Sequence, residues 1–280
     1  MLTKNKLREI FAQYDFAPLK KLGANYLVDG NIRDKIISAA DISKDDIVLE
    51  VGPGLGAVTL DLARTGAEVI AVEKDKKACA ILGDLVGSDF PNLKIIHSDI
   101  LEFDLPAAAG DGRIKVVGNL PYYVTTPIIE YILRNKKSVS SAVIMIQKEV
   151  ALRLLAKAGE EDYSSLSCFI QYHAKPEYVY TVKKTCFYPA PDVDSSIIKL
   201  NILDKPSVEV ADEELLFKIV RGAFNQRRKS IINSLSREEV LDMPKDKLTE
   251  ILTRAAVDPV ARPETLNLAD FARISNSLST

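Results

Sequence analysis

Between positions 45 and 147 the apolar residues of this chain follow two alternating rhythms. Short β-branched runs at 47–51, 68–73, 93–97, 114–118 and 142–146 read as strands. Helical patterns come between and after them, at 57–64, from an N-cap at Asp75 to about 86, near 127–133 and at 148–156. Strands alternating with helices predict an α/β fold, a mostly parallel sheet covered on both faces. Beyond 156 the rhythm changes. A helix is expected at 164–173, followed by strands at 177–182 and 196–200 that flank a Pro-rich loop and close the sheet with an antiparallel edge. No strand pattern follows 211; helical pieces at 212–224, 227–235, 247–255 and 264–278 predict a small all-α domain. With residues 201–208 as linker, two domains are expected, 1–205 and 206–280.

Each strand of the first domain ends in a polar group. Glu50-Val51-Gly52-Pro53-Gly54-Leu55-Gly56 turns out of the first strand, where glycines let the backbone approach a ligand and a helix N-terminus follows. Glu73 ends the second strand, at the distance where a carboxylate meets ribose hydroxyls. Asp99, next to Ile100, follows the third strand, placed to accept from an adenine amine, and Asn119 closes the fourth. Ligands of such sheets sit beyond the carboxyl ends of the strands. A nicotinamide dinucleotide shares the turn and the distant acid. The spacing here is Gly-x-Gly-x-Gly rather than Gly-x-Gly-x-x-Gly, with an acid before it and Pro53 inside it. Those details favour S-adenosylmethionine.

Asn119-Leu120-Pro121-Tyr122 carries the chemistry. The exocyclic amine of adenine is a poor nucleophile because its lone pair is delocalised into the ring. An Asn oxygen and a backbone carbonyl that accept its two N–H bonds help to localise that pair, and a Tyr face holds the base once it leaves its stack.

Composition narrows the setting. The chain has 280 residues, 47% hydrophobic and 27% charged, which suits an ordinary globular protein. No apolar run reaches membrane-spanning length, and the basic N-terminus is followed by no apolar signal segment. Cys79, Cys168 and Cys186 are far apart and odd in number, so neither a disulfide framework nor a metal cluster is expected; a reducing cytoplasm is. With two histidines, His97 and His173, triad or metal chemistry has little material. Net charge is −2, so nucleic-acid binding requires segregated charge. Arg221, Arg227, Arg228, Lys229 and Arg237 supply it, with no acidic residue between 221 and 237. A monomer is the default expectation.

The Gly-rich turn, Glu73, Asp99 and Asn-Leu-Pro-Tyr, in this order, resemble the rRNA adenine N6,N6-dimethyltransferase family. Phe187-Tyr188-Pro189-Ala190-Pro191-Asp192-Val193-Asp194-Ser195 fits that family's Phe-x-Pro-x-Pro-x-Val-x-Ser signature. Gln147-Lys148-Glu149-Val150, Tyr163 with Leu166-Ser167, and Phe224-Asn225-Gln226-Arg227-Arg228-Lys229 extend the resemblance over about residues 19 to 275. The last stretch is similar to the bacterial type that dimethylates two adjacent adenines near the 3′ end of small-subunit rRNA. The resemblance implies a class I methyltransferase fold with a helical C-terminal domain. It implies that Asn25, Leu27, Gly52, Gly54, Glu73, Asp99, Ile100 and Asn119 bind S-adenosylmethionine. Tyr122 and Phe187 would sandwich the flipped adenine, and Arg221, Arg227, Arg228 and Lys229 would contact RNA. One departure stands out: Gly23-Ala24-Asn25-Tyr26-Leu27 replaces the usual Gly-Gln-Asn-Phe-Leu, removing a polar side chain. DNA N6 enzymes more often carry Asp/Asn-Pro-Pro-Tyr, so Leu120 argues against them. The large-subunit rRNA type and a non-catalytic assembly factor remain alternatives.

Overall fold

A computed structural model describes residues 2–18, 25–226, 229–237 and 239–279 of the chain. The fold divides into two units: residues up to 151 together with 177–204, and residues 152–176 together with those from 205 onward. The sequence reading divides the chain at 205/206 alone, and for 152–176 this is corrected. That stretch belongs to the helical unit because Ala156, Tyr163, Cys168 and Tyr172 are buried in one apolar cluster with Leu216, Val220 and Phe271.

The first unit contains α1 (Lys4–Gln13), β1 (Tyr26–Leu27), α2 (Gly30–Ala40), β2 (Ile47–Val51), α3 (Thr59–Arg64), β3 (Glu68–Glu73), α4 (Lys76–Val86) and β4 (Leu93–His97). It continues with α5 (Leu105–Ala109), β5 (Ile114–Asn119), α6 (Thr125–Arg134) and β6 (Val139–Gln147). Helix α7 (Lys148–Leu155) and α8 (Ser165–His173) precede β7 (Ala174–Val182), β8 (Phe187–Tyr188) and β9 (Ser195–Ile202). The seven-stranded sheet runs β4-β3-β2-β5-β6-β9-β7. Strands β2 to β6 pair in parallel, and β9 lies antiparallel to β6, which is the expected antiparallel turn of the sheet. Both faces of a parallel sheet are covered, so β2 and β3 are buried along almost their whole length and read as continuous apolar runs.

The chain winds outward from β2 through β3 to β4, then returns to place β5 on the other side of β2. That reversal opens a crevice beyond the carboxyl ends of β2 and β5. Register brings the strand ends level: Val51 lies opposite both Val72 and Gly118, and Glu73 opposite His97. Asp75 caps α4 by accepting from the backbone N–H of Lys77 and Ala78, which turns the chain sharply after Glu73.

Helices α1 and α2 lie outside the elements that the sequence pattern predicts. Thr3 caps α1, and its Leu7 and Ile10 bury against Phe16, Tyr26 and Leu55. Asp29 caps α2, whose Ile32, Ile36 and Ala40 recur at intervals of four on its buried face. The second unit holds α8 together with α9 (Glu213–Phe224), α10 (Ile231–Leu235), α11 (Lys245–Arg254) and α12 (Leu268–Leu278). No helix among the described residues is long and apolar enough to cross a membrane.

Candidate active site

The site lies at the crevice between β2 and β5, and its floor is built by close backbone approach. A Cβ added at Gly118 would stand 3.0 Å from the Val51 carbonyl oxygen and 2.9 Å from Leu120 Cδ2, so only glycine lets β5 lie this tightly on β2. Gly54 sits at φ +57° in the turn after β2, and a Cβ there would meet the Tyr26 ring at 3.0 Å. Tyr26, buried by α1, therefore closes one wall. Burial pushes its phenol upward, with the charges of Glu73 and Asp75 adding to the shift.

Glu73 is 8% exposed, and its two oxygens accept from Gly54 N–H (2.9 Å) and Asp75 N–H (2.7 Å). Burial raises its carboxyl, and those backbone bonds partly offset the rise. Glu50 lies deeper. It is 4% exposed and lines the cavity, and Oε2 has no hydrogen-bond partner among the described residues. Thr59 faces Glu50 closely enough to ease its titration, but the Thr59 hydroxyl also fails to make a well-formed bond. Desolvation dominates and pushes the Glu50 carboxyl up to about 8, with repulsion from Glu73 contributing.

Lys74 holds Asp99 at 2.6 Å while Leu101 N–H donates to its other oxygen at 3.0 Å. Burial alone would raise the Asp99 carboxyl, but Lys74 and the Leu101 N–H bring it below the usual range. Each oxygen keeps lone-pair capacity for a further donor. The Asn119 side chain donates from Nδ2 to the Asn25 carbonyl at 2.9 Å, which leaves Oδ1 as the acceptor facing away from that bond. Leu120 N–H bonds to the Met145 carbonyl at 3.0 Å, fixing the exit of β5 to β6. Pro121 then bends the chain into a one-turn 3₁₀ helix at Tyr122–Val124. The Tyr122 hydroxyl bonds Ser195 Oγ at 2.7 Å, tying that turn to the start of β9.

The eight residues expected to bind cofactor, namely Asn25, Leu27, Gly52, Gly54, Glu73, Asp99, Ile100 and Asn119, all line this cavity, as do Leu120, Pro121 and Tyr122. Phe187 does not. It is 1% exposed and pairs with Leu27 through β8 and β1, its ring packed with Leu27, Val182 and Ile197. The expected two-sided sandwich is corrected accordingly: a ring closed into the core presents no face to a base. Arg221 and Lys229 are exposed, whereas Arg227 and Arg228 lie outside the described residues, as do Gly23 and Ala24. Sequence reading assigns no role to Tyr26, Lys74 or Tyr123, each of which lines the cavity, and marks Glu50 only as an acid preceding the glycines. Adjacency to the motif residues is the available signal for all four.

Four carboxyls (Glu50, Glu73, Asp75, Asp99) and one lysine line the cavity among the described residues. Glu50 keeps its proton at neutral pH, and the other three carboxyls against one lysine still attract a cation and repel a pyrophosphate. Moreover, the Gly54 N–H that could cradle a phosphate is already bonded to Glu73. S-adenosylmethionine, whose sulfonium and ammonium are both positive, fits these residues; a nicotinamide dinucleotide does not.

The comparisons agree with that chemistry. The family described as ribosomal RNA adenine dimethylase matches residues 17–279. Ribosomal RNA small subunit methyltransferase A of Geobacillus thermodenitrificans is 43% identical over 286 aligned positions, covering 99% of this chain and 96% of its own length. The protein of that name from Moorella thermoacetica is 42% identical, covering 99% and 98%. Among solved structures, a dimethyladenosine transferase from Plasmodium falciparum superposes with a TM-score of 0.78 at 27% identity, covering 89% of this chain and 95% of that one. The 23S rRNA methyltransferase ErmE gives a TM-score of 0.71 at 26% identity, covering 91% and 100%.

Proposed function

The chain belongs to the ribosomal RNA adenine dimethylase family, and from that premise we propose that it methylates N6 of two adjacent adenines near the 3′ end of small-subunit rRNA. It is an S-adenosylmethionine-dependent rRNA adenine dimethyltransferase. The observation that carries the amine-methylating chemistry of this reading is the placement of Asn119. Its Oδ1 is left free to accept by the bond from Nδ2 to Asn25, at the end of the strand that borders the acid-lined cavity.

When bound, S-adenosylmethionine supplies an activated methyl group on a sulfonium. Glu73, Asp99 and Ile100 would hold its adenosyl part, and Asn25, Leu27, Gly52 and Gly54 would enclose the remainder. Asn119 Oδ1 accepts from the target amine, which localises the nitrogen lone pair, while the ring of Tyr122 holds the extruded base. The amine becomes cationic on methylation and sheds its proton to water, so no histidine or cysteine is needed. Arg221, Arg227, Arg228 and Lys229 would neutralise rRNA phosphates. We place the reaction in the cytoplasm and treat the chain as a monomer.

Titration and transfer test this reading together. S-adenosylmethionine should bind and NAD should not, and labelled methyl should pass from S-adenosylmethionine to unmodified small ribosomal subunits. A chain that binds S-adenosylmethionine yet labels no RNA would be a non-catalytic member of the fold.

A further inference from the structure

We infer that Tyr123 forms a second base-binding subsite at the mouth of the cavity, stacking the unpaired rRNA base that adjoins the adenine held at Asn119–Tyr122. The inference rests on the methyltransferase reading and deepens it. Tyr123 lines the same cavity as Asn119 and Tyr122, yet 53% of its surface is exposed, the largest exposure among the bulky hydrophobic residues of that lining. A buried ring at this place would be packing; a half-open one is a surface offered outward.

Local geometry separates its role from that of its neighbour. Tyr122–Val124 is a 3₁₀ turn, with three residues per turn, so successive side chains leave the axis about 120° apart. Two rings so arranged diverge and do not clamp one base between them. Tyr122 is further tethered by its bond to Ser195, which leaves Tyr123 to serve a different base. The turn itself is stiff: Pro121 fixes the backbone before it, and the Thr125 hydroxyl bonds the Pro121 carbonyl at 3.0 Å. A ring held on such a turn loses little freedom on stacking.

The chemistry of extrusion supplies the need. Drawing one adenine into the cavity strips a stacking partner from the adjoining base, and an aromatic platform beside the entrance restores one. Phe187, closed into the core, offers no face for this, which leaves Tyr123 as the outward ring of the lining. Charge does not provide the contact instead. The lysine of this lining, Lys74, is bonded to Asp99 at 2.6 Å, and that bond and charge raise its titration. What the rim presents to a base is therefore a π-face.

The test compares Y123A and Y123F with the parent chain, using S-adenosylmethionine and unmodified small ribosomal subunits. Steady-state rates separate KM for the subunit from kcat, and a cofactor titration reports whether the site is intact. Y123A should raise KM about tenfold or more, in keeping with the usual worth of one stacked base, at unaltered S-adenosylmethionine affinity. Y123F, which keeps the ring, should restore KM to within about twofold. Wild-type KM in Y123A, or equal damage in Y123F and Y123A, would overturn the subsite. Loss of cofactor binding in Y123A with retention in Y123F would also overturn it, by assigning Tyr123 to the cofactor wall. If the parent chain binds S-adenosylmethionine but methylates no subunit, the underlying reading fails first and the subsite falls with it.

Discussion

Glu50 carries the clearest residue-scale consequence, because a carboxyl buried to this degree with an unpartnered oxygen makes folding depend on its proton. In the unfolded chain it ionises near 4.5; in the folded chain burial holds the proton to about 8. Between those values the native state binds more protons than the unfolded state, so stability falls as pH rises, and the loss is complete above the folded value. At about 1.4 kcal/mol per pH unit the whole effect is at most about 5 kcal/mol. Thermal melts from pH 5 to 9 should show that decline, and E50Q should flatten it; an unchanged slope in E50Q would remove Glu50 as its source. Asn119 makes a different kind of claim. N119A should lower kcat about 100-fold or more by removing the acceptor aimed at the amine, with a far smaller change in melting temperature. Parallel rate and melting measurements decide it, and equal losses in both would make Asn119 structural.

At the scale of elements, the strand-to-turn junctions do the positioning. Ser195, at the start of β9, holds the Tyr122 hydroxyl from across the sheet. S195A should cost roughly fivefold in kcat/KM for the subunit, the worth of one hydrogen bond near 1 kcal/mol, while cofactor affinity holds. Unchanged kinetics would show that the tether does not orient the ring. Much of this scaffold is legible in the sequence, since β2, β3, β4 and β5 announce themselves as apolar runs and their ends carry the polar groups that meet at the cavity. The short pieces are not. A two-residue strand such as β1 or β8 has no periodicity to detect, and it exists because Tyr26 and Leu27 pair with Tyr188 and Phe187 across more than 150 residues of chain. The same pairing explains why sequence alone assigns Phe187 to the base: a motif gives the ring's identity, and only the distant partner strand decides which way it faces. Helices α1 and α2 do leave local signals, Thr3 and Asp29 as caps and apolar residues three and four apart, but these are weaker than the strand runs that follow.

For the whole molecule, a net charge of −2 must coexist with binding to a polyanion. In the proposed function that demand is met by segregation, with the acid-lined cavity taking the cationic cofactor and the basic stretch from Arg221 to Lys229 taking the RNA phosphates. Neutralising Arg227, Arg228 and Lys229 should make the plot of log affinity against log salt shallower, by roughly 0.7 to 0.9 for each phosphate that no longer meets a cation. Filter binding across a salt series measures the slope, and an unaltered slope would return the patch to ordinary solvated surface. The central claim concerns the product, and nucleoside analysis reads it directly. The chain is incubated with labelled S-adenosylmethionine and unmodified small subunits, with large subunits and adenine-containing DNA in parallel, and each nucleic acid is digested and mapped. Labelled N6,N6-dimethyladenosine at adjacent positions near the 3′ end of small-subunit rRNA alone is the expected result. Label confined to large-subunit rRNA or DNA, or N6-methylation elsewhere in the small subunit, would contradict it.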